Sequence, residues 1–126
     1  MAKPKKILVV DDEPDMVVYL STFLSDEGFD VTTAYDGPHA LDLAKAERPD
    51  LITLDITMPG MSGIEVLTAL RRDPDLTGIP VIIITGVTGF RELTDHRGVR
   101  HPEEFLSKPV DLAALTVALD RLIQAA

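Results

Sequence analysis

Short apolar segments alternate with longer amphipathic segments along the chain. Residues 7–10, 51–54 and 81–84 are short, mostly apolar runs without regular alternation of polar residues. Such runs are typical of strands that are buried on both faces of a sheet. Residues 31–35 include two threonines and are less apolar, which favours a strand at the edge of the sheet. Residues 105–106 form a brief fifth strand in this interpretation.

Apolar residues at helical spacing occupy the segments between the predicted strands. Pro14 predicts the start of a first helix, which Gly28 ends. Pro38 opens a second helix, and a capping-box pattern precedes a third helix over residues 63–72. Asp111 is the predicted cap of the last helix, whose leucines and isoleucine recur at helical spacing.

Residues 86–102 follow neither pattern. They contain three glycines and five arginine, aspartate or glutamate side chains, with few apolar residues to bury. We expect at most a short or irregular fourth helix near residues 91–97. We also expect this segment to be a mobile, locally basic signalling surface, or else a solvated loop without a special partner. Its basic residues are Arg91, His96, Arg97, Arg100 and His101.

Strands that alternate with helices at this spacing predict a parallel sheet with helices on both faces. This arrangement is a three-layer α/β/α sandwich. The 126 residues suffice for one such domain and are too few for two, so we expect residues 1–126 to form a single domain. The basic residues 1–6 precede the first apolar run, and we expect them to form a flexible tail.

Composition and charge narrow the classes of function. The formal net charge is −9, whereas direct binding of nucleic acid requires a basic face that neutralises phosphates. We therefore expect protein partners. No apolar run approaches the roughly 20 residues of a membrane span, and the first one is too short for a signal peptide. These patterns favour a cytoplasmic protein with no membrane partner, and the lack of cysteine excludes thiolate metal sites.

Polar side chains follow the predicted strands where those strands end. Asp11 and Asp12 follow the first strand, and Asp55 follows the third. Thr85 ends the fourth strand, and Lys108 comes shortly after the fifth. Because the carboxyl ends of parallel strands share one edge of the sheet, where ligands bind in such folds, we expect these groups to converge.

Three converging carboxylates repel one another, which is costly unless a cation lies among them or one carboxyl is protonated. Ligand sets made only of oxygen favour a hard ion such as Mg²⁺. A hydroxyl and an ammonium opposite these carboxylates suit the oxygens of a phosphoryl group, whose transfer depends on positioning and charge neutralisation. We therefore predict that Asp55 is a nucleophile that accepts a phosphoryl group.

Four stretches of the sequence resemble the receiver domain of two-component response regulators, the CheY-like superfamily. They are ILVVDDEPD, LITLDITMPGMSGIEVL, VIIITG and FLSKPVD, in the order of the family's motifs. The resemblance implies a flavodoxin-like fold with five parallel strands in the order 2-1-3-4-5 and five helices. It also implies a signalling protein, not an enzyme, that takes a phosphoryl group from the phosphohistidine of a histidine kinase or a histidine phosphotransferase.

The resemblance assigns roles to the residues at the sheet edge. Asp55 is the phospho-acceptor, and Asp11 and Asp12 belong to the acidic pocket. Mg²⁺ is expected to bind Asp12, Asp55 and the backbone carbonyl of Thr57. Lys108 is expected to contact the phosphoryl oxygens.

Further residues have roles in switching and docking by the same resemblance. Thr85 would hydrogen-bond a phosphoryl oxygen, and Phe105 would turn from exposed to buried as an aromatic switch. The bond before Pro109 is expected to be cis. Tyr19, and secondarily Met16, would lie on the surface that docks the kinase. The predicted fourth helix, fifth strand and fifth helix would form the output surface, either in a monomer or in a dimer formed on phosphorylation.

Two other functions are open at this point. A pseudo-receiver would bind protein partners without being phosphorylated, which the unusual 86–102 segment favours. A phosphatase of the haloacid dehalogenase type also places an aspartate after a parallel strand, but it requires an acid where this chain has Thr57. The kinase, the pathway, the downstream partner and the lifetime of the phosphorylated form are not encoded in these patterns.

Overall fold

Five parallel strands form the central sheet of the computed structural model, which describes residues 3–86 and 101–123. The strands are β1 (Lys6–Val10), β2 (Asp30–Ala34), β3 (Leu51–Leu54), β4 (Val81–Thr85) and β5 (Glu104–Ser107). Their order in the sheet is β2-β1-β3-β4-β5, which confirms the order implied by the family resemblance. Since every pairing is parallel, the carboxyl ends of all five strands lie at one edge.

Four helices cover the faces of this sheet within the described residues. They are α1 (Pro14–Asp26), α2 (Gly37–Glu47), α3 (Gly63–Arg72) and a C-terminal helix (Leu112–Leu122). The short fourth helix predicted near residues 91–97 falls outside the described residues. None of the four described helices is long and apolar enough to cross a membrane.

The alternation of side chains along the strands divides the core into two layers. Leu8 belongs to the layer beneath α2 and α3, where Leu67 packs. Its neighbour Ile7 belongs to the opposite layer, with Leu24 of α1 and Leu119 of the C-terminal helix. The central strands are thus buried on both faces, as their continuous apolar runs predicted. The three-layer α/β/α sandwich is confirmed.

The two residues predicted to cap helices, Ser62 and Asp111, do so. Ser62 accepts a hydrogen bond from the backbone N–H of Glu65 at 3.3 Å, which is one half of a capping box. The Asp111 carboxylate accepts the N–H of Ala113 at 2.9 Å. At the N-cap position of α1, by contrast, the Glu13 side chain makes no capping hydrogen bond.

The predicted boundaries of several elements differ from the structure by one or two residues. β2 covers Asp30–Ala34 instead of residues 31–35, because Asp30 pairs with Lys6 and the register ends at Ala34. α1 ends at Asp26, and Gly28 then carries the turn into β2 with a φ of 96°. Only a residue without a Cβ adopts that angle at little cost.

The N-terminal tail is shorter than predicted. Lys6 is the first residue of β1, and its N–H donates to the Asp50 carboxylate at 2.7 Å. The carbonyl oxygen of Lys5 accepts the N–H of Asp30 at 2.9 Å. The prediction of a tail over residues 1–6 is therefore wrong at Lys6, because backbone pairing continues past the end of the apolar run.

A buried arginine joins α3 to the residues before β5. The Arg71 side chain is only 2% exposed. Its guanidinium donates to the carbonyl oxygens of Thr77 at 3.1 Å, Ile79 at 2.9 Å and His101 at 3.2 Å. It also forms an ion pair of 2.7 Å with Glu103. One side chain thus donates hydrogen bonds to backbone carbonyl groups of two loops.

Replacing this arginine should destabilise the fold far more than replacing its neighbour in sequence. In Arg71→Met, the largely buried Glu103 carboxylate and three carbonyl oxygens lose a donor. We expect a loss of roughly 3 kcal/mol in the free energy of unfolding, near the lower end for a broken buried ion pair because Glu103 is partly exposed. Urea unfolding measures this loss, with the exposed Arg72→Met as the control. Equal losses in both variants would contradict the structural role of Arg71.

Candidate functional site

The strand ends place the predicted site residues at one edge of the sheet. β1 and β3 pair in parallel up to Val10 and Leu54, so the residues that follow them, Asp11 and Asp55, lie side by side. The N–H of Asp55 donates to the carbonyl oxygen of Val10 at 3.0 Å, which continues the ladder by one bond. Both aspartates are almost fully buried, with exposures of 2% and 3%.

The fourth and fifth strands bring the hydroxyl and the ammonium to the same edge. Thr85 is the last residue of β4 and is buried. Its carbonyl oxygen accepts the N–H of Lys108 at 3.0 Å, which fixes the backbone of Lys108 beside the end of β4. The peptide bond between Lys108 and Pro109 is cis.

These groups line an open cleft of about 340 Å³. Its lining includes most of the residues predicted from the sequence and adds Glu13 and Gly86: Asp12, Glu13, Asp55, Thr57, Thr85, Gly86 and Lys108. A larger cavity of about 620 Å³ lies near the start of β1 and mixes basic with acidic residues such as Lys6 and Asp50. Sites in open parallel sheets lie at the carboxyl edge, so the smaller cleft is the candidate site.

Four carboxylates meet in this cleft. Ligand oxygens of Asp11, Asp12, Glu13 and Asp55 lie within 4.8 Å of one another. The donor set consists only of oxygen, which fits a hard divalent cation and does not fit a metal that prefers nitrogen or sulfur. The residues present therefore suit Mg²⁺.

Lys108 is the ammonium that offsets part of this charge. Its Nζ lies 2.9 Å from Asp11 Oδ2, 2.7 Å from Glu13 Oε1 and 3.4 Å from Asp55 Oδ2. Burial lowers the pKa of Lys108, but the carboxylates of Glu13, Asp11 and Asp55 outweigh it and the net pKa is raised. The ammonium is therefore charged throughout the physiological range.

The pKa of Asp11 is also raised. Burial is the largest cause, and the nearby Asp55 charge adds to it. The N–H of Glu13, which donates to Asp11 Oδ1 at 3.0 Å, and the Lys108 ammonium oppose the shift without cancelling it. An ionised Asp11 is thus held in the folded protein at a cost in free energy.

Gly63 lets α3 start directly against the acceptor strand. Its N–H donates to the carbonyl oxygen of Ile56 at 2.8 Å. A Cβ at this position would collide with the backbone carbonyl oxygen of Asp55. Side chains larger than hydrogen are thus excluded here, and the apolar pattern gave no signal for this constraint.

Of the remaining predicted residues, Thr57 lines the cleft, whereas the predicted aromatic switch and docking residues are not part of its lining. Thr57 is exposed, and its N–H donates to Asp55 Oδ1 at 3.3 Å. Phe105 is half-buried and packs against the layer beneath α2 and α3. Tyr19 is 47% exposed on α1, whereas Met16 is half-buried against the opposite layer. Residues 87–100, with most of the predicted basic surface, fall outside the described ranges.

Glu13 is the ionisable residue of the cleft that was not predicted. In the sequence it directly follows Asp11 and Asp12 and directly precedes Pro14, where an acidic residue also suits the positive end of a helix dipole. The structure places its carboxylate closer to Lys108 Nζ than either buried aspartate. A third consecutive acidic residue was the only available signal.

Comparisons with known proteins agree on one family. The sequence matches the response regulator receiver domain family over residues 7–120. It is similar to the response regulator PleD of Caulobacter vibrioides, with 42% identity over 107 residues. That match covers 84% of this chain and 23% of PleD, so the chain spans less than a quarter of this relative.

Two solved structures share the fold over almost their whole length. The chemotaxis protein CheY4 of Vibrio cholerae has 32% identity and a TM-score of 0.86, covering 95% of this chain and 99% of CheY4. The receiver domain of sensor histidine kinase PA1611 from Pseudomonas aeruginosa has 28% identity and a TM-score of 0.86, covering 97% and 99%. That structure contains a magnesium ion coordinated in its active-site cleft.

The raised pKa of Asp11 predicts how stability depends on pH. In the folded state the pKa of Asp11 lies above the ordinary value of 3.8. The contribution of Asp11 to the free energy of unfolding is therefore complete below pH 3.8 and is lost as pH rises through the folded-state pKa. Asn at position 11 is neutral at every pH. Without Mg²⁺, Asp11→Asn should therefore be more stable than the wild type near neutral pH, and the difference should shrink as pH falls.

Urea unfolding in a chelating buffer at several pH values measures this difference. The exposed Asp42→Asn on α2 is the control and should change stability little at any pH. Adding Mg²⁺ should narrow the difference near neutral pH, because an ion that binds only the folded wild-type site stabilises it. A variant that is less stable than the wild type near neutral pH would show that burial of Asp11 does not oppose folding.

Proposed function

Because this chain belongs to the response regulator receiver domain family, we propose that it accepts a phosphoryl group on Asp55. One observation carries the choice of residue. Asp55 directly follows the central strand β3, is 3% exposed, and lies in a carboxylate cluster with the Lys108 ammonium 3.4 Å away. Receiver domains are signalling phospho-acceptors and not enzymes that turn over a substrate, and the cleft described here suits that role.

The phosphoryl donor is a phosphohistidine on a histidine kinase or a histidine phosphotransferase. An Asp55 oxygen attacks the phosphorus atom and forms a new P–O bond, which makes an acyl phosphate. The P–N bond breaks, and its electron pair goes to the imidazole nitrogen of the donor. The Lys108 ammonium offsets negative charge on the phosphoryl oxygens during transfer.

Receiver domains bind Mg²⁺ at an acidic site, and this chain carries a matching cluster of carboxylates. We assign Asp12, Asp55 and the backbone carbonyl of Thr57 as the protein ligands, with Asp11 in the surrounding acidic pocket. Thr57 lines the cleft and its N–H donates to Asp55 Oδ1, which keeps its backbone beside the acceptor and supports this assignment. When bound, Mg²⁺ would supply positive charge that lets the acceptor and the phosphoryl group approach each other.

Phosphorylation would change the surface beside β5. The phosphoryl group adds acceptor oxygens next to Thr85, which is buried at the end of β4. The Thr85 hydroxyl would turn toward one of these oxygens, and Phe105 would move into the space that it leaves. Phe105 is half-buried, so both a more exposed and a more buried position are within reach. A downstream partner would then distinguish the two states of this surface.

The donor would dock beside the cleft on α1. Tyr19 is 47% exposed and Val18 is 60% exposed, so α1 presents apolar surface to a partner. Met16 is half-buried in the core and would contribute less. The comparisons supply no observation that favours either alternative function: the matched family is the response regulator receiver domain, not a phosphatase family.

Incubation with acetyl phosphate and Mg²⁺ tests this function without knowledge of the kinase. We expect the intact mass to increase by one phosphoryl group, and we expect a chelator to abolish the increase. Asp55→Asn should remain unmodified, while Asp42→Asn, on the outside of α2, should react like the wild type. A failure of the wild type to gain mass, or an equal gain in Asp55→Asn, would refute the assignment. Steady release of inorganic phosphate from phosphate esters would instead indicate a phosphatase.

A further inference from the structure

The shortest contact of Lys108 in the cleft is with the most exposed of its three carboxylates. Glu13 Oε1 lies 2.7 Å from Lys108 Nζ, although the Glu13 side chain is 62% exposed. Asp11 and Asp55 lie at 2.9 Å and 3.4 Å, and their side chains are 3% and 4% exposed. The ammonium is therefore held between two buried carboxylates, Asp11 and Asp55, and one solvent-exposed carboxylate, Glu13, at the rim of the cleft.

The backbone of Glu13 is fixed while its side chain is directed to the lysine. The Glu13 N–H donates to Asp11 Oδ1 at 3.0 Å, and its carbonyl oxygen accepts the N–H of Val17 at 3.1 Å as α1 begins. Residues at the N-cap position commonly use a side-chain oxygen to bind the first free N–H groups of the helix. The Glu13 carboxylate makes no such bond and contacts Lys108 instead.

The three contacts of Lys108 differ in how easily they can be released. Releasing Asp11 would leave a buried carboxylate without its cation, which is a costly change. Releasing Glu13 costs little, because water can solvate its exposed carboxylate and exposed ion pairs contribute little to stability. When a phosphoryl oxygen competes for the ammonium, Glu13 is thus the partner that is exchanged.

We propose that Glu13 is a positioning residue that holds the Lys108 ammonium at the rim of the cleft and must release it before Lys108 contacts a phosphoryl group. This proposal rests on the function proposed above for Asp55. Glu13 then slows phosphorylation by a small anionic donor, since the donor must displace the carboxylate from the ammonium. It does not act as a ligand of the metal ion.

Acetyl phosphate is the probe for this role. In the reaction an Asp55 oxygen bonds to phosphorus while the bond from phosphorus to the acetate oxygen breaks, and acetate leaves with that electron pair. The initial rate of phosphorylation is followed by intact mass over a series of Mg²⁺ concentrations. We compare the wild type with Glu13→Gln, which removes the charge, and Glu13→Asp, which keeps the charge on a side chain shorter by one methylene group.

Both variants at position 13 should be phosphorylated faster at saturating Mg²⁺. We expect a gain of roughly two- to fivefold for Glu13→Gln, the factor that corresponds to one exposed ion pair. Glu13→Asp should share much of this gain because the shorter side chain places its carboxylate farther from Lys108 Nζ. Aspartate is also a favoured N-cap residue, so that variant should fold. The Mg²⁺ concentration that gives the half-maximal rate should stay within about twofold of the wild-type value. Loss of a metal ligand would raise that concentration by more than this.

Asp15→Asn is the matched control, because Asp15 is an exposed acidic residue in the same first turn of α1. It should leave the rate unchanged. An equal gain in Asp15→Asn would show that the rate depends only on the total negative charge near the cleft, and it would refute the holding role. The holding role would also be refuted if Glu13→Gln reacted faster while Glu13→Asp reacted like the wild type. No gain in Glu13→Gln, or a raised Mg²⁺ requirement without a faster maximal rate, would also refute it. If the wild type itself is not phosphorylated, the function proposed for Asp55 has failed, and this inference fails with it.

Discussion

Repulsion among carboxylates at the carboxyl edge of the sheet is the constraint on which this structure depends. Four carboxylates have oxygens within 4.8 Å of one another, and in the described part of the chain the Lys108 ammonium contacts three of them. This arrangement opposes folding, as the raised pKa of Asp11 indicates. The two apolar layers must supply the stability that holds the cluster together, and they do so through central strands buried on both faces. The same repulsion makes the site receptive to a divalent cation.

The gathering of the site residues at one edge of the sheet was predictable, because it depends on local sequence patterns and on the parallel pairing of the strands. Four of the five strands carry a polar site residue within three residues of an apolar run, and parallel pairing brings those strand ends together. Asp55 and Lys108 are 53 residues apart in sequence and still lie within 3.4 Å. The caps at Ser62 and Asp111 were predictable for a similar reason, since each acts on N–H groups two or three residues away.

Contacts that depend on side-chain reach between distant elements were not predictable. Helical periodicity indicates which positions of α3 face inward, but it does not indicate that Arg71 would be buried against carbonyl oxygens up to 30 residues away. The strand pairing that draws Lys6 into β1 follows from its neighbours β2 and β3, not from its own polarity. Glu13 resembles a solvated residue at a helix start until the position of Lys108 is known.

The central claim is that Asp55, alone among the four clustered carboxylates, receives the phosphoryl group. Reductive trapping tests it most directly, because borohydride converts an aspartyl phosphate into homoserine, which peptide mass spectrometry then locates. After reaction with acetyl phosphate and Mg²⁺, homoserine should be found at position 55 and should be absent when Mg²⁺ is withheld. Homoserine at position 11 or 12 with aspartate intact at position 55 would contradict the assignment.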